Sequence, residues 1–344
     1  MLKEQRVPGA IVIVGPESQS EDRGTLPRAS STAGIQGSFL AGVEVLGRSV
    51  LSRMVQDLSH TRIQELSILV DSSLISTSGE SQDLFPYAAG DVWNSAGARL
   101  LQAKNSGLDT VIVMRIRAYI EFDPAELIQF HRDRCEPVTQ ACDEQGPLDL
   151  WAVSPRAFDV GDDLQAMLQS AERPYYPVRG YVNRLHTLRD LRCLCVDGLN
   201  SRCQFRPKGY EVRPGVWMAE GALVDQTARI VAPAYLGSGA RIAEQCLVTR
   251  CSSIEANSQV DYGTAVEDSW VLPNTYVGIG LDLSHSITSG NSLWNLSHDV
   301  KLEIIDPVVM RQQPPNKTRR QMNRPWRSEA RLSEMALSAD ESRR

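Results

Sequence analysis

The chain has 344 residues, 42% apolar and 23% charged, a globular composition long enough for two domains. Its formal charge of −6 is uneven: Gln312 to Arg344 holds eight Lys/Arg against four Asp/Glu, so the body before it sits near −10. An acidic body gives no electrostatic footing for nucleic acid, and no apolar run reaches the roughly 18 residues of a membrane helix.

In chain order, AIVIVG (Ala10–Gly15) reads as a buried strand rather than a secretion signal. VEVLGRSVLSRMVQDL (Val43–Leu58) gives a helix entry and then an amphipathic helix, and ELSILVD (Glu65–Asp71) a second buried strand. AGARLLQAKNSG (Ala96–Gly107) is expected to be helical, its N-terminus capped by Asn94 or Ser95, and TVIVMRI (Thr110–Ile116) to be a strand. In DPAELIQFHRDR (Asp123–Arg134) Asp123 has the chemistry of an N-cap and Pro124 that of the first helical position. Strands alternating with helices predict a layered, Rossmann-like α/β domain over residues 1–190, followed by a linker over 191–208. Seven cysteines, an odd number without framework spacing, point to reduced thiols and a cytoplasmic protein. Cys193, Cys195 and Cys203 lack a fourth ligand at zinc-like spacing and read as small core residues, so no metal site is expected there.

From residue 209 the period changes to six. Val212, Met218, Val224, Ile230, Leu236, Ile242, Val248, Ile254, Val260 and Val266 are aliphatic or Met and six apart. Two residues earlier runs a small register: Ala222, Ala228, Ala234, Ala240, Cys246, Ser252, Ser258 and Thr264. After Val266 the frame slips by one and continues through Val271, Val277 and Leu283, with Ser269 and Thr275 in the small register. Each unit supplies one short strand and one turn, three units close a coil, and the aliphatic residues stack inward at the spacing of paired strands. Gly215, Gly221, Gly237, Gly239, Gly263 and Gly278 are expected at turns with positive φ. The pattern resembles the hexapeptide-repeat left-handed parallel β-helix, with its closing segment over 209–310. The remainder, 311–344, reads as a disordered tail whose basic stretch Lys317–Arg331 carries Trp326.

The first half resembles the sugar-phosphate nucleotidyltransferases (NDP-sugar pyrophosphorylases). Ala41–Asp71 is similar to that family's run from its name-giving loop through the sugar-binding helix. IEFDPAELIQFHRDRCEPVT (Ile120–Thr139) resembles its F-D-x-x-x-L-x-x-F-H-R segment, and DLWAVSPRAF (Asp149–Phe158) a following strand. RGYVNRLHTLRDLRCLCVDGL (Arg179–Leu199) resembles the passage leading out of the catalytic domain. A β-helix following directly is a common arrangement in that family.

The departures fall on the chemistry. Where the family has a glycine-rich triphosphate loop, this chain has GPESQSEDRGTLPRASSTAGIQGSF from Gly15, with Glu17, Glu21 and Asp22 against Arg23 and Arg28. The resemblance places Met114 and Arg115 at one metal aspartate, and Arg184 beside Asn183 at the other. Guanidinium groups bind anions but do not coordinate Mg²⁺, so a catalytically impaired homologue, a pseudoenzyme, is expected. WNSAGARLL (Trp93–Leu101) resembles the segment that meets base and sugar, which makes Gly15, Asn94, Ser95, Gly97, Arg115 and Arg184 the ligand-binding candidates. The resemblance implies a sugar nucleotide or an active homologue as partner, in polysaccharide precursor metabolism, with homo-oligomers through the β-helix. Three alternatives stay open. One is an active pyrophosphorylase using Mg²⁺ on relocated ligands, with Glu121, Asp123 and Asp91 as candidates. Another is a hexapeptide-repeat acyltransferase using His285, and the third is a structural scaffold.

Overall fold

The computed structural model describes residues 8–15, 42–61, 63–71, 88–89, 91–169 and 173–314. The polar loop after Gly15, with Glu17, Glu21, Asp22, Arg23 and Arg28, lies outside the described residues, as does the basic run Lys317–Arg331. The chain divides into two compact units. One comprises Met1–Val43 and Ser49–Asp190, the other Glu44–Arg48 and Leu191–Arg344.

The first unit is built on a seven-stranded mixed sheet. The short hairpin β2 (Glu44–Val45) and β3 (Arg48–Ser49) lies, but for Ser49, in the stretch that belongs to the second unit, whereas the strands of the sheet include β1 (Pro8–Val14), β4 (Glu65–Asp71), β5 (Ala88–Ala89) and β6 (Thr110–Arg115). They are joined by β8 (Val138–Asp143), β9 (Gly146–Val153) and β10 (Tyr175–Pro177); β7 (Ala118–Ile120) and β11 (Val182–Arg184) form a separate antiparallel pair. The spatial order is β10-β8-β9-β6-β1-β4-β5. β1 is central, parallel to β4 (Val12↔Ile68) and to β6 (Val12↔Met114). Its unbroken apolar run follows from burial on both faces. Ile11, Ile13, Val111 and Val113 join Ala96, Leu100 and Ala103 of helix α2 (Val92–Asn105) in one core. α1 (Val50–Ser59) starts at Ser49, whose side chain accepts from Ser52 N–H, and buries Val50, Leu51, Met54 and Leu58. α3 (Pro124–Arg134) packs on β6 and β9; Asp123 caps it by accepting from Ala125 N–H at 2.8 Å, with Pro124 in its first turn.

The cap of α2 differs from expectation. Asp91, with extended backbone, accepts from the N–H groups of Trp93 (3.0 Å) and Asn94 (3.1 Å). Asn94 and Ser95 already lie inside the helix, where a side-chain oxygen no longer reaches the orphan donors of the first turn.

The second unit is a rod of short parallel strands in three stacked sheets. Along one face Val216 lies beside Ala234 and Ala234 beside Ser252; along another Leu223 is followed by Arg241 and Gln259, and along the third Arg229 by Leu247 and Ala265. Each step is 18 residues, three units of six. Ile230, Leu236, Ile242, Val248, Ile254, Val260 and Val266 stack in a single core with Val271, Val277 and Leu283. After Val266 every step shortens to 17: Ser253↔Trp270, Gln259↔Tyr276, Ala265↔Asp282. The missing residue lies in one corner, and a second five-residue corner follows Leu283, since Val271 pairs with Thr288. The shortened corners turn on one left-handed residue each, Asp268 (φ 43°) and His285 (φ 49°).

Four expectations change in detail. Val212 heads the six-residue frame but lies 51% exposed in a strand antiparallel to Val216–Met218, ahead of the first coil. Gly237 and Gly278 do not take positive φ. They are glycine because of close approach: a Cβ on Gly237 would lie 2.6 Å from the Ala256 nitrogen, and one on Gly278 would meet the Val308 carbonyl. The segment 191–208, expected as a linker, carries most of helix α4 (Leu188–Leu199), with Leu191, Leu194 and Cys195 fully buried. Residues 311 and 312, expected in the tail, belong to a strand: Met310–Gln312 pairs with Thr275–Val277, and the Arg311 guanidinium lies 3.7 Å from the Tyr276 ring centre. No described helix is long and apolar enough to cross a membrane.

Candidate functional site

β1 leads to β4 on one side, and the chain returns to β6 on the other. In an open α/β sheet such a reversal leaves a crevice outside the carboxyl ends of the two central strands. Here those ends are Gly15 and Arg115, held together by Ile116 N–H donating to the Ile13 carbonyl at 3.0 Å. The start of α2 closes in from one side: a Cβ on Gly15 would lie 3.6 Å from Val92 Cγ2. The helix N-terminus contributes its partial positive charge there, already partly answered by the Asp91 cap.

Arg115 is 8% exposed. Its Nε donates to Asp149 Oδ2 at 2.8 Å, and its guanidinium stands 5.9 Å from the Trp93 ring centre. Arg117 Nη1 lies 3.8 Å from the same carboxylate, so two cations share one aspartate. Arg184 has its own partner: Nη2 donates to Asp143 Oδ1 at 2.5 Å and to the Gly146 carbonyl at 2.9 Å. Burial alone raises the Asp143 pKa, but the Arg184 bond and the Gln145 N–H outweigh it and hold the carboxyl below its ordinary value. Both aspartates belong to the single β8–β9 hairpin, which therefore answers each of the two arginines with a carboxylate.

Of the sequence candidates, Gly15, Arg115 and the first turn of α2 are brought together. Asn94 is held by Asp91 through its side-chain amide (2.7 Å). Gly97 serves packing, since a Cβ there would lie 3.3 Å from the Phe158 ring. Ser95 stands in the first turn of α2 with its N–H on the Asp91 carbonyl (3.1 Å). Glu121 accepts from the Tyr119 hydroxyl at 3.0 Å, while Asp123 and Asp91 cap helices. Among the described residues no three His, Cys, Asp or Glu side chains gather where they could hold a metal ion.

His131 is buried between Thr139 Oγ1 (2.8 Å) and Ser154 Oγ (2.9 Å), and burial lowers its pKa to about 4. It ties α3 to β8 and to the end of β9. In the rod, His285 is 48% exposed at its side chain and Nδ1 lies 2.6 Å from Asp268 Oδ2. Asp268 Oδ1 in turn accepts from Arg192 Nη2 at 2.8 Å.

Sequence reasoning passed over Asp149, Asp143 and Glu255. A lone aspartate inside the apolar strand GPLDLWAV was the available signal for the first. Glu255 lies fully buried on the rod, accepting from Leu46 N–H and Gly47 N–H (2.9 Å each), Ser253 Oγ (2.6 Å) and Trp270 Nε1 (3.0 Å). Burial, then the nearby Glu44 charge, pushes its carboxyl up to about 7 against those four donors. A single acid directly after an inward-facing isoleucine was its only mark in the sequence.

No protein-family model matches the chain, and no curated protein matches it either.

Proposed function

We propose that the first unit is a sugar-phosphate nucleotidyltransferase-like domain that binds a nucleotide or sugar nucleotide and has lost the metal-dependent transfer step. The second unit would be a left-handed β-helix used for assembly. The observation that carries this reading is Arg115 at the carboxyl end of β6, beside Gly15 and paired with Asp149. At the position where the resemblance places a metal-binding carboxylate, the chain offers a guanidinium, which can hold a phosphate oxygen bidentately but cannot hold Mg²⁺. The role in polysaccharide precursor metabolism and the active homologue as partner follow from the resemblance alone. Seven unbridged cysteines fit a reducing compartment such as the cytoplasm.

The test is thermal shift of the whole protein with nucleoside triphosphates and sugar nucleotides, each with and without Mg²⁺. A ligand that binds only the native state at a hundred times its dissociation constant stabilises by about 2.7 kcal/mol. The expected result is a shift that does not need Mg²⁺ and that falls away in Arg115→Gln. A shift requiring Mg²⁺, with turnover, would return the active pyrophosphorylase; no shift at all would leave the scaffold.

The Asp268–His285 pair favours one second reading. A carboxylate on Nδ1 leaves the other ring nitrogen of a half-exposed histidine as a potential base, which an acyltransferase needs. Binding of acyl-CoA, lost in His285→Ala, would move the assignment to the rod.

A further inference from the structure

The eight-stranded sheet of the rod ends on the strand Val300–Glu303. It pairs antiparallel with Ser292–Asn295 (Leu293↔Leu302, Asn295↔Val300), and among the described residues its other edge pairs with nothing. Ile304 N–H donates inward, to the Asn291 carbonyl at 2.7 Å. Backbone groups alternate sides along a strand, so Val300 and Leu302 also point theirs inward. Lys301 and Glu303 aim their N–H and C=O groups outward. All four residues are exposed, Val300 at 45% and Leu302 at 48%. Val300 and Leu302 continue the side of the sheet on which Leu293 packs against the rod core. Ile305 (96% exposed) and Val308 (62%) follow directly.

An open, half-apolar edge is a template for another strand. Its charges decide which strand. Placed antiparallel about a two-fold axis through Leu302, a second copy sets Lys301 opposite Glu303 twice and Leu302 opposite Leu302. The outward-aimed backbone groups of residues 301 and 303 then fall in register as hydrogen-bonded pairs. Parallel in-register pairing would instead set lysine against lysine. We propose that a second copy of this chain docks on the Val300–Glu303 edge by isologous antiparallel pairing, joining the two eight-stranded sheets into one.

The experiment is light-scattering mass over a dilution series of the whole protein, read with circular dichroism and melting temperature. Wild type is expected at twice the chain mass at the top of the series. Lys301→Glu sets like charges across the axis at both pairs and is expected to be monomeric. Lys301→Glu with Glu303→Lys restores both pairs and is expected to dimerise again. Glu303→Pro removes an outward N–H that the inner ladder does not use, and is expected to be monomeric with an unchanged fold. If that variant fails to fold, the charge-reversal pair still decides. A wild type that stays monomeric, single variants that stay dimeric, or a double variant that stays monomeric would each overturn the pairing.

Discussion

Arg115 and Asp149 carry most of what is specific to the candidate site, because each alone would be costly where it stands. A guanidinium 8% exposed at the end of an internal strand needs a counter-charge, and Asp149 supplies it from the neighbouring antiparallel strand at 2.8 Å. Removing one partner of a buried pair leaves the other charge uncompensated, which costs about 3–5 kcal/mol when burial is complete. The Asp149 side chain is 26% exposed, and Arg117 lies 3.8 Å from it, so the discounted cost for Asp149→Asn is about 2 kcal/mol. Urea unfolding measures it directly, and an unchanged midpoint would mean that Arg115 finds another acceptor at no cost. The same substitution removes the carboxylate charge that Nε now meets at 2.8 Å, so phosphate-bearing ligands are expected to shift the melting temperature of Asp149→Asn more than that of wild type.

At the scale of elements, the small register of the rod turns out to do two things. Ala234 and Ala240 fit tight corners by size alone. From Cys246 onward the corner residues also bridge successive coils: the Cys246 thiol donates to the Asp261 carbonyl (3.0 Å), Ser252 Oγ to the Val266 carbonyl (3.0 Å), Ser258 Oγ to Leu272 (2.7 Å) and Thr264 Oγ1 to Gly278 (2.6 Å). The three hydroxyl oxygens also accept from Ser269, Thr275 and Leu281 N–H at 3.1–3.2 Å. Thr264→Val keeps the shape and leaves the Leu281 N–H and the Gly278 carbonyl without that partner in a fully buried position. The expected loss is about 1–3 kcal/mol; a rod that melts unchanged would reduce the hydroxyl to a matter of size. The six-residue period was open to sequence reading because inward stacking repeats one requirement at every unit. So were the strands Ala10–Val14 and Thr110–Arg115, whose burial on two faces shows as the apolar runs Ala10–Val14 and Val111–Met114. The corner hydroxyl bonds, the Asp91 cap and the Asp149 and Asp143 pairings were not open in the same way. Each depends on which distant residue the fold sets opposite, and neither composition nor period records that. Val212 shows the converse: it fits the frame, yet no coil lies beneath it to stack on.

For the whole molecule, the two units carry buried titrating groups of opposite sense. Glu255, in the second unit, has its pKa raised to about 7, so on unfolding it becomes a stronger acid near 4.5. Its contribution is full below pH 4.5 and is lost as pH rises to about 7, where the buried carboxylate finally ionises among Leu46, Gly47, Ser253 and Trp270. His131, in the first unit, has its pKa lowered to about 4 from 6.5. The unfolded chain takes up the proton first, so its contribution is full above pH 6.5 and is lost as pH falls toward 4. Between pH 7 and pH 5 the first unit should therefore lose stability and the second gain it, each by an amount on the order of 1–2 kcal/mol. In calorimetry this appears as two transitions whose separation changes with pH. Glu255→Gln should flatten the pH response of the second unit's transition alone, and His131→Gln that of the first. Both transitions moving together in both variants would mean that the units unfold as one body and that neither group governs its own.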